Sequence, residues 1–169
     1  MLPWFVPAAV LSLLIATVLA GRVGRSLMTS TSVAWLLVVS LGWIVAATLT
    51  PSRLALEYGA TSHLSCDLSR VMLLPLRGYL RFDDPGLNVL LFMPLGFAVG
   101  LLPRNRWKIG ILVVAILLSP AIETTQLLVP ALDRACQTAD VVDNLTGLAL
   151  GLVAGNAIGL VGRWARRER

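Results

Sequence analysis

A chain of 169 residues that is 57% hydrophobic and only 14% charged departs from the roughly 45–50% and about 25% of an average soluble domain. A domain this small has too little interior to hide so much apolar surface from water. A bilayer is therefore its expected solvent, and a mean hydropathy of +0.82 excludes disorder, collagen and disulfide-stapled secreted folds. The net charge of +5 does not make a nucleic-acid surface, because the basic residues lie between apolar runs rather than on one face.

Five apolar stretches approach the roughly 20 residues a bilayer requires: about 3–20, 33–50, 87–102, 108–129 and 140–162. The expected fold is an all-α integral membrane protein with about five transmembrane helices and a long outer loop. In the first stretch Val18-Leu19-Ala20-Gly21 looks like a cleavage site, but no Lys or Arg precedes Arg22, so the stretch reads as an uncleaved anchor. The third, Leu87 to Leu102, holds Pro94, Gly96 and Gly100 and is expected to be short or bent. The organisation follows: 1–65 carries two spans and the start of the outer loop, 66–162 a three-helix region, and 163–169 a basic tail.

Short loops rich in Lys and Arg stay in the cytoplasm. Arg22 and Arg25, then Arg104, Arg106 and Lys108, then Arg163, Arg166, Arg167 and Arg169 share one side. The other side holds Arg53, Arg70, Arg77, Arg81 and Arg134, thinly spread. The C-terminus is thus expected in the cytoplasm of the cell and the N-terminus outside. The connection from Pro51 to Gly86 is long for a loop, and within it Leu68 to Leu80 mixes apolar residues with Arg70 and Arg77. It is too short and charged to span, and its composition suits the headgroup level; it reads either as a lid over an outer-leaflet site or as a loop resting on lipid.

Polar side chains within spans are the most informative, since a charge at mid-bilayer costs about 2.5–3.5 kcal/mol even on lenient scales. The fourth span carries Ser119, Pro120, Glu123 and Gln126 near its outer end; Glu123 and Gln126 are three apart and share a face. The fifth begins with Asp140, Asp143 and Asn144, with Asp140 and Asn144 four apart. The third carries Asn88 in its first turn, and Arg134 sits in the loop between spans four and five. Loop charge alone therefore places Asn88, Glu123, Gln126, Arg134, Asp140 and Asn144 at one depth on one side, as a ligand site would need. Structural roles compete. Asp140 suits a helix start, Thr138 can cap that end, Asn88 and Gln126 can bridge helices, and Asp143 can face water. Glu123 must find a partner such as Arg134 or stay protonated.

Gly147, Gly151, Gly155 and Gly159 recur every fourth residue in the fifth span, a smooth stripe for close approach of another helix, more readily one of this chain than of a second copy. Cys66 and Cys136 both fall in outer loops, where an oxidising compartment favours a bridge over two free thiols. His63 lacks companion ligands for zinc, which needs at least three, so no metal site is expected; no cofactor is implied.

Asn88-Val-Leu-Leu-Phe-Met-Pro-Leu-Gly96, then Ser119-Pro-Ala-Ile-Glu123-Thr-Thr-Gln126, Arg134, and Asp140-Val-Val-Asp-Asn144-Leu-Thr-Gly147 with Gly151 closely resemble the VanZ-like family of small multi-pass bacterial membrane proteins. The likeness covers about residues 68–155. Asp143 stands where the family usually has an apolar residue, and Thr124-Thr125 are more polar than its pattern. The resemblance implies a cell-envelope protein that contributes to tolerance of the glycopeptide teicoplanin or handles a lipid-linked cell-wall intermediate. Its partners would be a membrane lipid or lipid-linked precursor, or the glycopeptide itself, bound through the polar cluster; the oligomeric state is open. A second reading is an enzyme in which Glu123 and Asp140 divide acid and base roles on a polyprenyl-phosphate-type lipid, although no nucleophile with an adjacent base or phosphate-binding glycine loop accompanies them. A proton-coupled carrier lacks the internal repeat many transporters show.

Overall fold

The protein is described by a computed structural model, which covers residues 4–58, 65–79 and 83–164. Among the described residues, five helices are long and apolar enough to cross a membrane: α1 (Phe5–Leu27), α2 (Thr31–Thr48), α5 (Asp84–Leu101), α6 (Arg106–Leu128) and α7 (Thr138–Trp164). Two short helices, α3 (Arg53–Tyr58) and α4 (Leu76–Tyr79), and a two-residue parallel ladder of β1 (Cys66–Asp67) and β2 (Cys136–Gln137) occupy the connections. The chain is a multi-pass membrane protein, as its composition requires.

Helix 1 runs further than the apolar pattern indicates, carrying Arg22 and Arg25 within its last turns rather than in a loop. Long basic side chains are tolerated there because they reach past the apolar zone. The helix ends at Met28, whose left-handed backbone (φ 55°) returns its N–H to the Arg25 carbonyl. Ser30 then caps α2 by accepting the Val33 N–H at 3.3 Å. Asn105 does the same for α6 through Lys108 N–H at 3.1 Å, satisfying donors a helix start would otherwise leave orphaned.

Two stripes of small residues organise the packing. On α1, Ser12, Ala16, Ala20 and Gly24 are buried, each four residues from the next, and α2 lies against them, with Gly42 meeting Ser12. On α7, Gly147, Gly151 and Gly155 face α5. A methyl group at these positions would land on the carbonyls of Val89, Met93 and Phe97 respectively. From the other side, Gly96 and Gly100 abut the Leu148 and Leu152 carbonyls. The glycine stripe is thus an intramolecular seam, and α5–α7 is the most extensive helix pair; Gly159, its fourth member, is half-buried. Around the seam Phe92, Leu95, Val99, Ile44, Ile122 and Leu148 form the buried core. At the far end of the bundle the Lys108 ammonium donates to the Gly100 carbonyl (2.7 Å) and to Asn156 (2.8 Å), closing the end of α5.

At the other end the connections are laced together. A disulfide joins Cys66 to Cys136 across 70 residues, in register with the ladder. Thr138 is not a simple helix cap: its hydroxyl donates to the carbonyls of Asp67 (3.2 Å) and Arg70 (3.1 Å). Asp143 does not face water either. It is fully buried and takes a two-pronged ion pair from the Arg70 guanidinium, with Nη1 at 3.0 Å. Burying a carboxylate is costly unless it is paired and hydrogen-bonded, and the loop supplies that partner. The shared bond pushes the Arg70 pKa upward. On either side of Arg70 the loop leaves Leu68, Val71, Met72 and Leu73 mostly exposed, an apolar knuckle of the composition that suits a headgroup-level segment. His63 and Arg81, and Arg166, Arg167 and Arg169 of the basic tail, lie outside the described residues.

Candidate polar cavity

The starts of α1, α5 and α7 and the ends of α2 and α6 meet around a cavity of about 760 Å³, within the range of small-molecule sites. Its lining includes Asn88, Glu123, Gln126, Arg134, Asp140 and Asn144 together with Asp84. All six side chains singled out from the sequence therefore reach one cavity. Helical spacing explains the grouping. On α5, Asp84, Leu87, Asn88 and Leu91 recur at intervals of three and four and form one face. On α6 Glu123 and Gln126 do so, and on α7 Asp140 and Asn144. With a rise of 1.5 Å per residue, Asn144 sits about 9 Å into α7, deeper than the entrance and short of the middle.

The contacts have structural content of their own. The Gln126 amide donates to the Thr48 carbonyl at 3.0 Å and Arg134 Nη2 to the Ala47 carbonyl at 2.9 Å. These are last-turn carbonyls of α2 that lack intrahelical partners, and a guanidinium there also complements the helix dipole. Asn144 Nδ2 donates to the Ser119 hydroxyl at 3.1 Å, joining α7 to α6. Glu123 accepts the Gln137 N–H at 2.8 Å, so its oxygen is held by the chain just before α7 rather than by an ion pair with Arg134. The Asn88 amide faces the Asp140 carboxylate.

Several polar atoms in this arrangement are left over. Gln126 Oε1, Arg134 Nε and Asn144 Oδ1 are buried without a hydrogen-bond partner, although Gln126 is only 7% and Asn144 only 2% exposed. Buried polar groups are satisfied in the great majority of cases, so each such exception calls for an explanation. Among the described residues Arg134 also has no carboxylate at ion-pair distance. Burial lowers its pKa, an effect that the negative charges of Asp140 and Asp84 oppose. Among the described residues no three His, Cys, Asp or Glu side chains are grouped as metal ligands.

The VanZ/LLP1 family model matches residues 28–158, which takes in the helices that build this cavity apart from α1. The chain belongs to the VanZ-like family. The match begins well ahead of the motif-bearing region and includes α2, whose end carbonyls hold Gln126 and Arg134. No curated protein and no solved structure is a match to the chain. This VanZ-like chain has two further polar residues lining the cavity that the sequence motifs do not announce, Asp84 and Thr48. Asp84 is one turn before Asn88, so the same-face rule would have found it. Thr48 contributes mainly a backbone carbonyl, which no side-chain motif announces.

Proposed function

We propose that this VanZ-like protein sits in the cell membrane with its C-terminus in the cytoplasm, and that it binds the polar part of a lipid-linked cell-wall intermediate in the cavity, near the outer face. Through that binding it contributes to tolerance of glycopeptides such as teicoplanin. The observation that carries the reading is the convergence of Asn88, Glu123, Gln126, Arg134, Asp140 and Asn144 on one cavity with unsatisfied polar atoms of Gln126, Arg134 and Asn144. An intramembrane ionisable group is by default a functional one, and leftover donors and acceptors are what an absent ligand would satisfy.

The test is Glu123→Gln, which keeps shape and hydrogen bonding but cannot ionise. In cells expressing the variant at the wild-type level, teicoplanin tolerance is expected to fall. Unchanged tolerance would remove the charge-dependent role. The alternative is a membrane-embedded acid/base enzyme acting on a polyprenyl-phosphate-type lipid, and what favours it is that Glu123 and Asp140 line the same cavity. Incubation of the purified protein with radiolabelled lipid-linked precursors distinguishes the two. A new labelled product means catalysis, and retention of unaltered precursor means binding.

A further inference from the structure

The chemistry of the cavity narrows its ligand beyond a polar headgroup. Its free hydrogen-bonding capacity is lopsided. Gln126 Oε1 and Asn144 Oδ1 are acceptors without a donor, and the carboxylates of Asp84, Glu123 and Asp140 line the same space. Against these, among the buried atoms of the described residues at this cavity, the donor left without a partner is Arg134 Nε. Arg70, a loop cation of this end, is committed to Asp143. A ligand that offered only an anion would satisfy Arg134 and leave the acceptors and carboxylates facing one another. A complementary ligand presents one anionic oxygen group to Arg134 and, beside it, a charged group rich in N–H donors. An ammonium supplies three donors and a compensating charge.

The walls say how such a ligand arrives. Phe5 and Val6 of α1, Ala47 of α2 and Leu87, Leu90 and Leu91 of α5 complete the lining. Val6 is 65%, Leu87 49% and Leu90 46% exposed. Helix 1 packs along α2 and makes no more than marginal contact with α5. The cavity is therefore apolar along α1 and the Leu87, Leu90 and Leu91 side of α5, two helices that scarcely touch, and polar at its α6–α7 wall. This suits a lipid whose chain lies in the bilayer while its head turns inward.

We propose that the cavity takes a lipid whose head joins a phosphate to a primary amine, entering sideways between α1 and α5, with the phosphate on Arg134 and the ammonium among Gln126, Asn144 and the carboxylates of Glu123 and Asp140. This deepens, and rests on, the reading of the cavity as a lipid site. Two kinds of lipid share this chemistry: an ethanolamine glycerophospholipid and a polyprenyl phosphate bearing an amino sugar.

Native mass spectrometry of the full-length protein in dodecyl maltoside, titrated with single lipids, tests it. The probes are dioleoyl phosphatidylethanolamine, phosphatidylcholine and phosphatidylglycerol with the same chains, undecaprenyl phosphate, and undecaprenyl phosphate esterified with glucosamine. At least tenfold greater retention of phosphatidylethanolamine than of phosphatidylcholine or phosphatidylglycerol assigns the glycerophospholipid source. The same preference for the glucosamine lipid over undecaprenyl phosphate assigns the amino-sugar source. Equal retention of all the phosphate lipids overturns the amine requirement. Tight binding of undecaprenyl phosphate alone overturns it too, while leaving the proposed cell-wall role standing. Conversely, amine-selective binding with unchanged tolerance in Glu123→Gln cells would remove the charge-dependent part of that role and keep the ligand class. Arg134→Gln is expected to lower retention tenfold or more. Because it also releases the end of α2, Leu90→Trp serves as a second variant that narrows the entrance without touching a polar group. It is expected to slow lipid uptake severalfold, and uptake at the wild-type rate would overturn the sideways route.

Discussion

Asp143 is the residue at which the loop and the bundle depend on one another most, and its pairing gives a quantitative prediction. Its side chain is fully buried and that of Arg70 is 24% exposed. Arg70→Met removes the charge and keeps much of the chain volume. It leaves a buried carboxylate uncompensated, which costs about 3–5 kcal/mol. At about 2–4 °C per kcal/mol for a protein of this size, thermal unfolding of the purified protein is expected to fall by roughly 6–20 °C. The pair itself is worth far less than that loss, because each charge was desolvated to form it. Replacing both partners by apolar residues of similar size is commonly neutral or stabilising by about 1–4 kcal/mol. Arg70→Met with Asp143→Leu is therefore expected to recover most of the stability. Unfolding of detergent-solubilised protein, followed by intrinsic Trp fluorescence, compares the wild type with both variants. If the single and double variants unfold together, or if Arg70→Met matches the wild type, the loop is not held by this pair and the reasoning fails.

Two further predictions concern the seam and the orientation. Gly151→Ala drives a methyl group against the Met93 carbonyl and the Phe97 N–H; since backbone cannot swing aside, α5 and α7 must separate, at about 1–3 kcal/mol or more. Gly110→Ala in α6 meets nothing within 4 Å and is expected to stabilise by about 0.5–1 kcal/mol through helix propensity, so a comparison of their unfolding temperatures separates packing from propensity. In a background with Cys66 and Cys136 both changed to Ser, Met72→Cys on the exposed knuckle is expected to react with a membrane-impermeant maleimide added to intact cells; reaction only after the cells are broken would invert the proposed orientation.

The five spans were legible because hydropathy reports the solvent, and α2, α5, α6 and α7 each lie within about three residues of their apolar runs. Their ends were less so. The first span absorbs Arg22 and Arg25 because long cationic side chains escape the apolar zone without breaking a helix. The Gly147–Gly159 stripe announced a close seam. The stripe Ser12, Ala16, Ala20 and Gly24 on α1 has the same spacing and was overlooked, since Ser and Ala mark it less loudly than Gly. The cavity residues were found through depth and helical face, which are local properties. Arg70 with Asp143 was not, because the pairing spans 73 residues through an aperiodic loop. The grip of Gln126 and Arg134 on α2 was equally invisible, as its acceptors are backbone carbonyls.

The central claim is that a lipid occupies the cavity lined by α1 and α5, and photocrosslinking in native membranes addresses it most directly. Benzoylphenylalanine placed at Leu91, within the cavity lining, is compared with the same group at Ile109, which is 68% exposed on α6. The account predicts a lipid adduct at position 91 that is dominated by one headgroup class and is lost with Arg134→Gln, while adducts at 109 follow bulk membrane composition and ignore that change. An adduct pattern at 91 that matches bulk lipid and is insensitive to Arg134, or no lipid adduct there at all, would contradict it.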